Sequence, residues 1–546
     1  MVEVTASNFS EYFSEIEEAI RQCDFIALDT EFTGLKIDDD ANKPSLFDGG
    51  AERYAKLRET ISKITICQLG ISVFRRDQKQ TSVYVAKTYN IPLFPRSFGP
   101  VDERFVCQAS SLQFLCRYKF DFNKFIYEGL SFLNEDQERQ VREHIASKAM
   151  FTGLERDLDE EALQRICSRV AEWLVSKDNV PVFTLQKSDM ESFPLYVLST
   201  ELRGRFPTIW TTVDSNLKTI EVQRIDQGER EKRESEELTN QKQQEEQLVQ
   251  RMLGFTRVFR VMKQCKKPLI GHNNLMDLML VYDKFHLPLP ASYTEFKSQL
   301  HAIFPWIYDT KHVIFRMRGA ITEDTGLLQK TSLSEIYKEL DSDKGRDLVI
   351  FPPAVMHAEG HTKYNGDSLP HEAGFDAFMC GFVFLRLAHI KTFKDVKSSE
   401  VIPCLFRRYL QSMEEYCNKV NIIRARINNI SLDSVDYQSE KPELLFVRSR
   451  LMKKRLNIDQ LAKWFSPYGN VDIRVFGKNR ALAATNNFKC SRDILKAFRG
   501  HPTIYVAEYS IWRHSPLVRG ILWSGAIVSG GLCILALVGS VKERKP

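Results

Sequence analysis

Two carboxylates close an apolar run near the start of the chain. Residues 25–28 (Phe-Ile-Ala-Leu) have the composition of a short buried strand, and Asp29 and Glu31 follow directly. Side chains at i and i+2 of a strand share one face, so both acids leave the sheet together. Adjacent anions repel and are costly to hold unless a cation lies between them. Taken alone, the pair reads more readily as a chance Asp-x-Glu at a strand edge, since such tripeptides are frequent.

Two later segments add partners. Asp277 ends GHNNLMD (271–277), just after a short apolar strand signal at 268–271, in a stretch crowded by Leu275, Met276, Leu278 and Met279. An acid in such surroundings is rarely buried without a partner. In HEAGFDA (371–377), Pro370 marks a helix start, with His371 at its entry and Asp376 about one and a half turns on. Five residues do not stack on one helical face, so the two meet only if His371 sits on the approach to the helix. Four acids of this kind supply oxygen ligands suited to Mg²⁺ or Mn²⁺, and no Cys or His cluster competes for zinc. Two such ions stabilise the attacking and leaving oxygens of a phosphodiester displacement, and a neutral histidine takes the proton of the attacking water.

In sequence order these residues resemble the DEDD superfamily of 3′→5′ exonucleases, in the version that uses histidine. FIALDTEFTGL (25–35), SSLQFL (110–115), FDFNKF (120–125), GHNNLMD, LPLP (287–290), FP followed by DTK (304–311) and HEAGFDA are similar to the poly(A)-specific ribonuclease family. The resemblance spans about residues 20–395. It implies a ribonuclease H-like α/β fold, a mixed sheet flanked by helices, with Asp29, Glu31, Asp277 and Asp376 holding two Mg²⁺ ions (Mn²⁺ as a substitute) and His371 as general base. It also implies that Phe32, Leu35, Leu112, Phe114, Asn273 and Lys311 hold the last nucleotides of a single-stranded RNA with a free 3′ end. Core packing is the competing role for Phe32, Leu112 and Phe114.

The interval from Glu31 to Asp277 is too long for a loop, so an inserted unit is expected. The expected organisation is a first nuclease part at 1–155, a small nucleic-acid-binding-type insert with a charged connector at 156–250, and a second nuclease part at 251–400. A helical linker and a small α/β module resembling an RNA-recognition motif (RRM) follow at 401–512. Residues 226–250, nearly all Glu, Gln, Lys and Arg, read as a solvated helix or connector. The insert lacks a clean Arg-x3-His signature, and the presumed central strand of the module (479–488) lacks interleaved aromatics. Both departures weigh against RNA binding by those parts. Strands are also read at 61–74 and 83–86, and helices at 135–148, 160–176, 253–262 and 274–285. Net charge is +5, which permits nucleic acid as a partner without demanding it, and the 11 scattered cysteines contain no CxxC pair, favouring a reducing compartment.

Residues 520–541 carry no charge and, at 1.5 Å per residue, span about 33 Å, enough for a hydrocarbon core. A buried core helix is the alternative. Arg513, His514 and Arg519 precede the run and Lys542, Glu543, Arg544 and Lys545 follow it, so charge bias decides little about orientation. A single tail anchor inserted after synthesis is expected, with the catalytic part cytosolic, in the endoplasmic reticulum or the outer mitochondrial membrane. Such a tail resembles the PARN-like domain-containing branch of the family, trimmers of pre-piRNA 3′ ends. That branch implies a Tudor- or PIWI-type protein presenting the RNA, and the soluble relatives imply a homodimer. A poly(A) deadenylase and a catalytically silent RNA-binding adaptor are the competing functions.

Overall fold

The structure, a computed structural model, describes residues 1–35, 42–147, 160–176, 181–186, 190, 195–214, 218–364, 370–395, 405–437, 440–451 and 455–542. The expected start of the insert (156–159) and the C-terminal flank Glu543, Arg544 and Lys545 lie outside the described residues.

In chain order, β1 (Val2–Glu3), β2 (Phe25–Phe32), β3 (Ile66–Arg76) and β4 (Val83–Pro92) come first. β5 (Val182–Leu185), β6 (Ile209–Asp214) and β7 (Thr219–Arg224) form a separate three-stranded sheet in the order β5-β7-β6. β8 (Leu269–Gly271), β9 (Ile307–Asp309), β10 (Ala354–His357), β11 (Lys419–Asn421) and β12 (Asn429–Ser431) return to the first sheet, whose order is β1-β4-β3-β2-β8-β9-β11-β12 with β10 also on β4. β13 (Leu445–Ser449), β14 (Val471–Gly477), β15 (Arg480–Thr485) and β16 (Ile504–Glu508) make a third sheet in the order β14-β15-β13-β16. The large sheet is mixed. β2, β3 and β4 run antiparallel, whereas β8, β9 and β11 continue parallel to β2.

β2 is buried on both faces because every residue from Phe25 to Leu28 is apolar. Phe25 and Ala27 point to one side, where Phe25 stacks on Phe74 at 4.7 Å and meets Phe384 edge-on at 5.7 Å. Ile26 and Leu28 point to the other side and join Leu275, Leu278 and Tyr282 of the helix Leu275–Phe285. Helices thus cover both faces, and β2 carries its acids out between two layers.

The helix Ala373–Asp395 lies across β2 and β3 and is buried along almost its whole length. It passes so close to the sheet that a Cβ on Gly70 would meet the Ala373 carbonyl oxygen at 2.0 Å, and one on Gly381 would meet the Phe74 ring at 2.1 Å. The N-terminus of the helix is tied down. Ala373 N–H donates to Gln68 Oε1 (2.9 Å) and Gly374 N–H to Asn90 Oδ1 (3.0 Å).

Several expectations need correcting. The segment 61–74 is not one strand, since Ile61 ends the helix Gly50–Ile61 and β3 begins at Ile66. The helix expected at 253–262 is two helices, Gln227–Leu253 and Phe255–Cys265, parted at Gly254, whose φ is +40°. Residues 419–431, expected within a linker, pair into the large sheet as β11 and β12, so the sheet extends beyond the boundary expected at 400. In the third sheet β13, absent from the sequence reading, lies at the centre beside β15. Its Phe446 faces away from the helices and stacks on His514 at 4.2 Å, so aromatics do stand on that face.

Among the described residues, the helix long and apolar enough to cross a bilayer is Ala373–Asp395, and it is wholly buried in the core. The C-terminal helix Pro516–Lys542 differs in environment, with Ile521, Trp523, Ile527, Val528, Leu532 and Ile534 all exposed.

Gly70→Ala tests the closeness of the helix to the sheet. The added methyl has rigid backbone in its way, so the variant is expected to lose at least about 1–3 kcal/mol of stability. Thermal unfolding checks this, and an unchanged melting temperature would contradict the contact.

Candidate active site

The strand geometry of β2 places Asp29 opposite Gly70 and Glu31 opposite Gln68, and a register shift after Glu31 ends the regular pairing. Asp29 and Glu31 share the face of Phe25 and Ala27, toward the helix that carries Asp376. Thr30, between them, points to the opposite face. There it meets Asp277 in the first turn of the helix Leu275–Phe285, the Thr30 N–H (3.2 Å) and Oγ1 (2.5 Å) both donating to Asp277 Oδ1. Helices from the two sides of the sheet therefore deliver their acids to the same end of β2. Carboxylate oxygens of Glu31 and Asp376 and a ring nitrogen of His371 lie within 4.8 Å of one another.

His371 is not in the helix, which starts at Ala373; it occupies the preceding turn with φ +65°. That conformation answers the spacing problem posed by H-x4-D. Its backbone N–H donates to Asp376 Oδ1 (3.4 Å) and its Nδ1 lies 4.0 Å from Asp376 Oδ2. The ring is bracketed by aromatics: Phe114 sits edge-on at 4.7 Å and Tyr118 at 4.0 Å between centroids. Burial lowers the histidine below its usual pKa, so it is neutral and able to accept a proton near pH 7.

The electrostatics of the acids follow from their isolation. Among the described residues no Lys or Arg pairs with Asp29, Glu31, Asp277 or Asp376. Loss of water, then the charges of Asp376, Asp277 and Glu31, hold the Asp29 carboxyl well above the carboxylate range. Loss of water and the charges of Asp376 and Asp277 do the same to Glu31. Burial raises Asp277 to about 6 against the Thr30 hydrogen bonds, and raises Asp376 to about 7. Four crowded oxygen donors with no internal cation are a donor set that fits hard divalent ions.

The residues expected on the substrate behave unequally. Phe114 is exposed and packs on His371, and Leu112 is half-buried on the same helix, Ala109–Arg117. Leu35 is exposed, and its N–H donates to Gln108 Oε1 (2.9 Å), which brings the two segments together. Phe32, the last residue of β2, packs partly on the core. Asn273 turns sideways. At φ +59° its N–H donates to Asp309 Oδ1 (2.9 Å) and its Oδ1 accepts from Asn421 Nδ2 (2.7 Å).

Asp309 is a fifth acid, fully buried, that the sequence reading passed over. Its oxygens accept from the backbone N–H groups of Asn273, Lys311, His312 and Asn421 at 2.9–3.4 Å, tying the ends of β8, β9 and β11 together. Thr30 and Tyr118 were also missed. The alternation that pairs Asp29 with Glu31 equally sends Thr30 to the other face, so that signal was present; nothing in the sequence marks Tyr118.

Comparison with known proteins identifies the family. Residues 4–384 match the family described as CAF1 family ribonuclease. The chain is 33% identical to the mouse (Mus musculus) protein named poly(A)-specific ribonuclease PNLDC1, over 98% of this chain and 99% of that one. It is 31% identical to the pre-piRNA 3′-exonuclease trimmer of Bombyx mori, over 98% of each chain. It is 29% identical to human poly(A)-specific ribonuclease PARN, over 86% of this chain and 74% of that one.

The raised acids fix a sign. Between their ordinary value of 3.8 and about 6 and 7, Asp277 and Asp376 keep protons in the folded chain that the unfolded chain has released. Metal-free protein is therefore expected to lose stability as pH rises through that window and to level off above it. Melting temperatures in chelator should fall from pH 4 to 7, and Mg²⁺ should restore most of the loss at pH 7. A flat profile in chelator would contradict the crowding of the carboxylates.

Proposed function

The chain belongs to the CAF1 family of ribonucleases, and we propose that the 3′→5′ exoribonuclease it constitutes is metal-dependent, membrane-anchored and trims the 3′ ends of single-stranded RNA, piRNA precursors foremost. The observation that carries the reading is the meeting of Asp29, Glu31, Asp277, Asp376 and His371 at one end of β2. Asp29, Glu31, Asp277 and Asp376 hold two divalent ions, Mg²⁺ or Mn²⁺. When bound, the ions supply positive charge beside the attacking and leaving oxygens of the phosphodiester.

The protein's own groups do the rest. His371, clamped by Phe114 and Tyr118 and oriented by Asp376, takes the proton of the attacking water on the ring nitrogen not turned toward Asp376. Thr30 holds Asp277 in place by donating two hydrogen bonds to one oxygen, leaving the other free for a metal. Phe32, Leu35, Leu112 and Phe114 contact the terminal nucleotides, and stacking on a phenylalanine face tolerates any base, at about 1–3 kcal/mol per base. Lys311 contacts a phosphate. Asn273 acts on this edge by fixing the backbone through Asp309 and Asn421.

The substrate follows from relationship rather than from the acids, which act on any RNA end. Coverage of nearly the whole length of the Bombyx mori trimmer supports pre-piRNA. The name of the mouse relative favours a second reading, removal of poly(A). The helix Pro516–Lys542, 27 residues or about 40 Å long and exposed over residues 520–534, supports a tail anchor with the catalytic part in the cytosol. The four-stranded module with Phe446 behind His514 serves as an RRM-like scaffold next to that anchor.

Asp29→Asn is expected to lower Mg²⁺-dependent shortening of a 5′-labelled RNA by about 10²–10³-fold or more, with unchanged folding by circular dichroism. Retention of activity would remove the metal assignment. Wild-type protein should shorten mixed-sequence RNA at least as fast as poly(A), and a 2′-O-methyl 3′ end should resist it. Strict preference for adenosine would favour the deadenylase.

A further inference from the structure

The carboxyl end of the sheet continues past the acids into a second charged surface. β2, β8, β9 and β11 are neighbours, so β11 stands three strands, roughly 14 Å, from β2 along the same edge. Between the helix Thr310–Thr325 and the turn after β11 lies a cavity of about 250 Å³. Lys311, Phe315, Arg318, Arg424 and Lys441 line it, and none of the described lining residues is acidic.

We propose that this groove binds the phosphodiester backbone of the RNA a few nucleotides upstream of the cleaved bond, with Arg318 and Lys441 on phosphate and Phe315 against a base; the proposal rests on the nuclease reading. Lys311, Phe315 and Arg318 follow at i, i+4 and i+7, so they share one face of their helix. Among the described residues neither Lys311 nor Arg318 has a carboxylate partner. Phe315 is 40% exposed with the Arg318 guanidinium 5.0 Å from its ring centre, a flat cationic surface of the kind on which bases stack.

The opposite wall is rigid. The buried Arg53, paired with Asp48 at 3.1 Å, donates to the carbonyls of Ile423 (2.7 Å) and Arg424 (2.5 Å). Arg424 itself is held by Asp472 of the third sheet at 2.6 Å, so it shapes the wall and adds less free charge. Lys441 sits partly out of water near Arg426, and both effects lower its affinity for a proton. Arg426 is itself paired with Glu443 at 3.6 Å, and a bound phosphate adds a second anion on the side of Lys441. The groove begins at Lys311, which the nuclease reading already assigns to a phosphate, so it lies in the direction an RNA strand takes when it leaves the acids along this sheet edge.

The test compares substrate lengths on full-length protein in detergent. Arg318→Ala and Arg318→Glu are measured on a 5′-labelled trinucleotide and on a 20-nucleotide RNA of mixed sequence. KM for the longer RNA is expected to rise about tenfold, and more for the glutamate variant, with kcat unchanged. The slope of log KM against log salt should fall by about one for Arg318→Ala. Values of kcat/KM for the trinucleotide should stay at wild type. Equal loss on both substrates, or loss on neither, overturns the groove while leaving the nuclease reading intact. Failure of the wild-type protein to shorten either RNA overturns the nuclease reading instead. Unchanged RNA kinetics with weakened binding to phosphatidylserine vesicles would assign the same charges to lipid and also overturn the proposal.

Discussion

Four carboxylates converge on the end of one strand with, among the described residues, no lysine or arginine paired to them, and that repulsion organises the rest of the molecule. Asp29 and Glu31 lose water against the helix that brings Asp376, while Asp277 arrives from the opposite layer. Among the described residues no cation relieves the crowding, so the surroundings must be stiff enough to keep the groups together. The stiffness is visible in how each acid is held. Asp277 is fixed by Thr30, and Asp376 lies in a helix whose first turn is bound by Gln68 and Asn90. Side chains held this way are preorganised for positive charge and would gain little by rearranging when it binds.

The glycines explain why the layers come near enough. A helix normally rides on a sheet at a distance set by its side chains, but at Gly70 there is no side chain, and the backbone of Ala373 occupies that space. This close approach lets the turn holding His371 reach back toward Asp376 and Glu31. The left-handed φ of His371 belongs to the same device, because a regular helical start would carry the ring away from the acids. Phe114 and Tyr118 then restrict the ring from the outside.

Along the same sheet edge Asp309 plays the opposite part. It is as deeply buried as the site acids, yet four backbone N–H groups satisfy it, and it needs no ion. Buried carboxylates thus divide into those neutralised by the fold and those left for something outside it. The two apolar helices divide in a similar way. Ala373–Asp395 and Gly520–Ile534 are both apolar, but the first is enclosed by the sheet and its covering helices while the second is exposed.

The sequence by itself determined the local part of this protein. The alternation along β2 was enough to place Asp29 and Glu31 on one face, and the order of the acids with His371 was enough to point to a nuclease. The helices read at 135–148, 160–176 and 274–285 end within a few residues of those observed, because amphipathicity is a property of near neighbours. What the tertiary structure decided was every relation between distant segments. It paired β11 and β12 into the large sheet, put β13 at the centre of the small one, and turned Asn273 toward Asn421. It also chose Thr30 and Tyr118 as supports for Asp277 and His371. Three-residue strands and single contacts between residues more than a hundred positions apart leave no periodic trace in a sequence, since the free energy that selects them comes from packing that exists only once the layers have met.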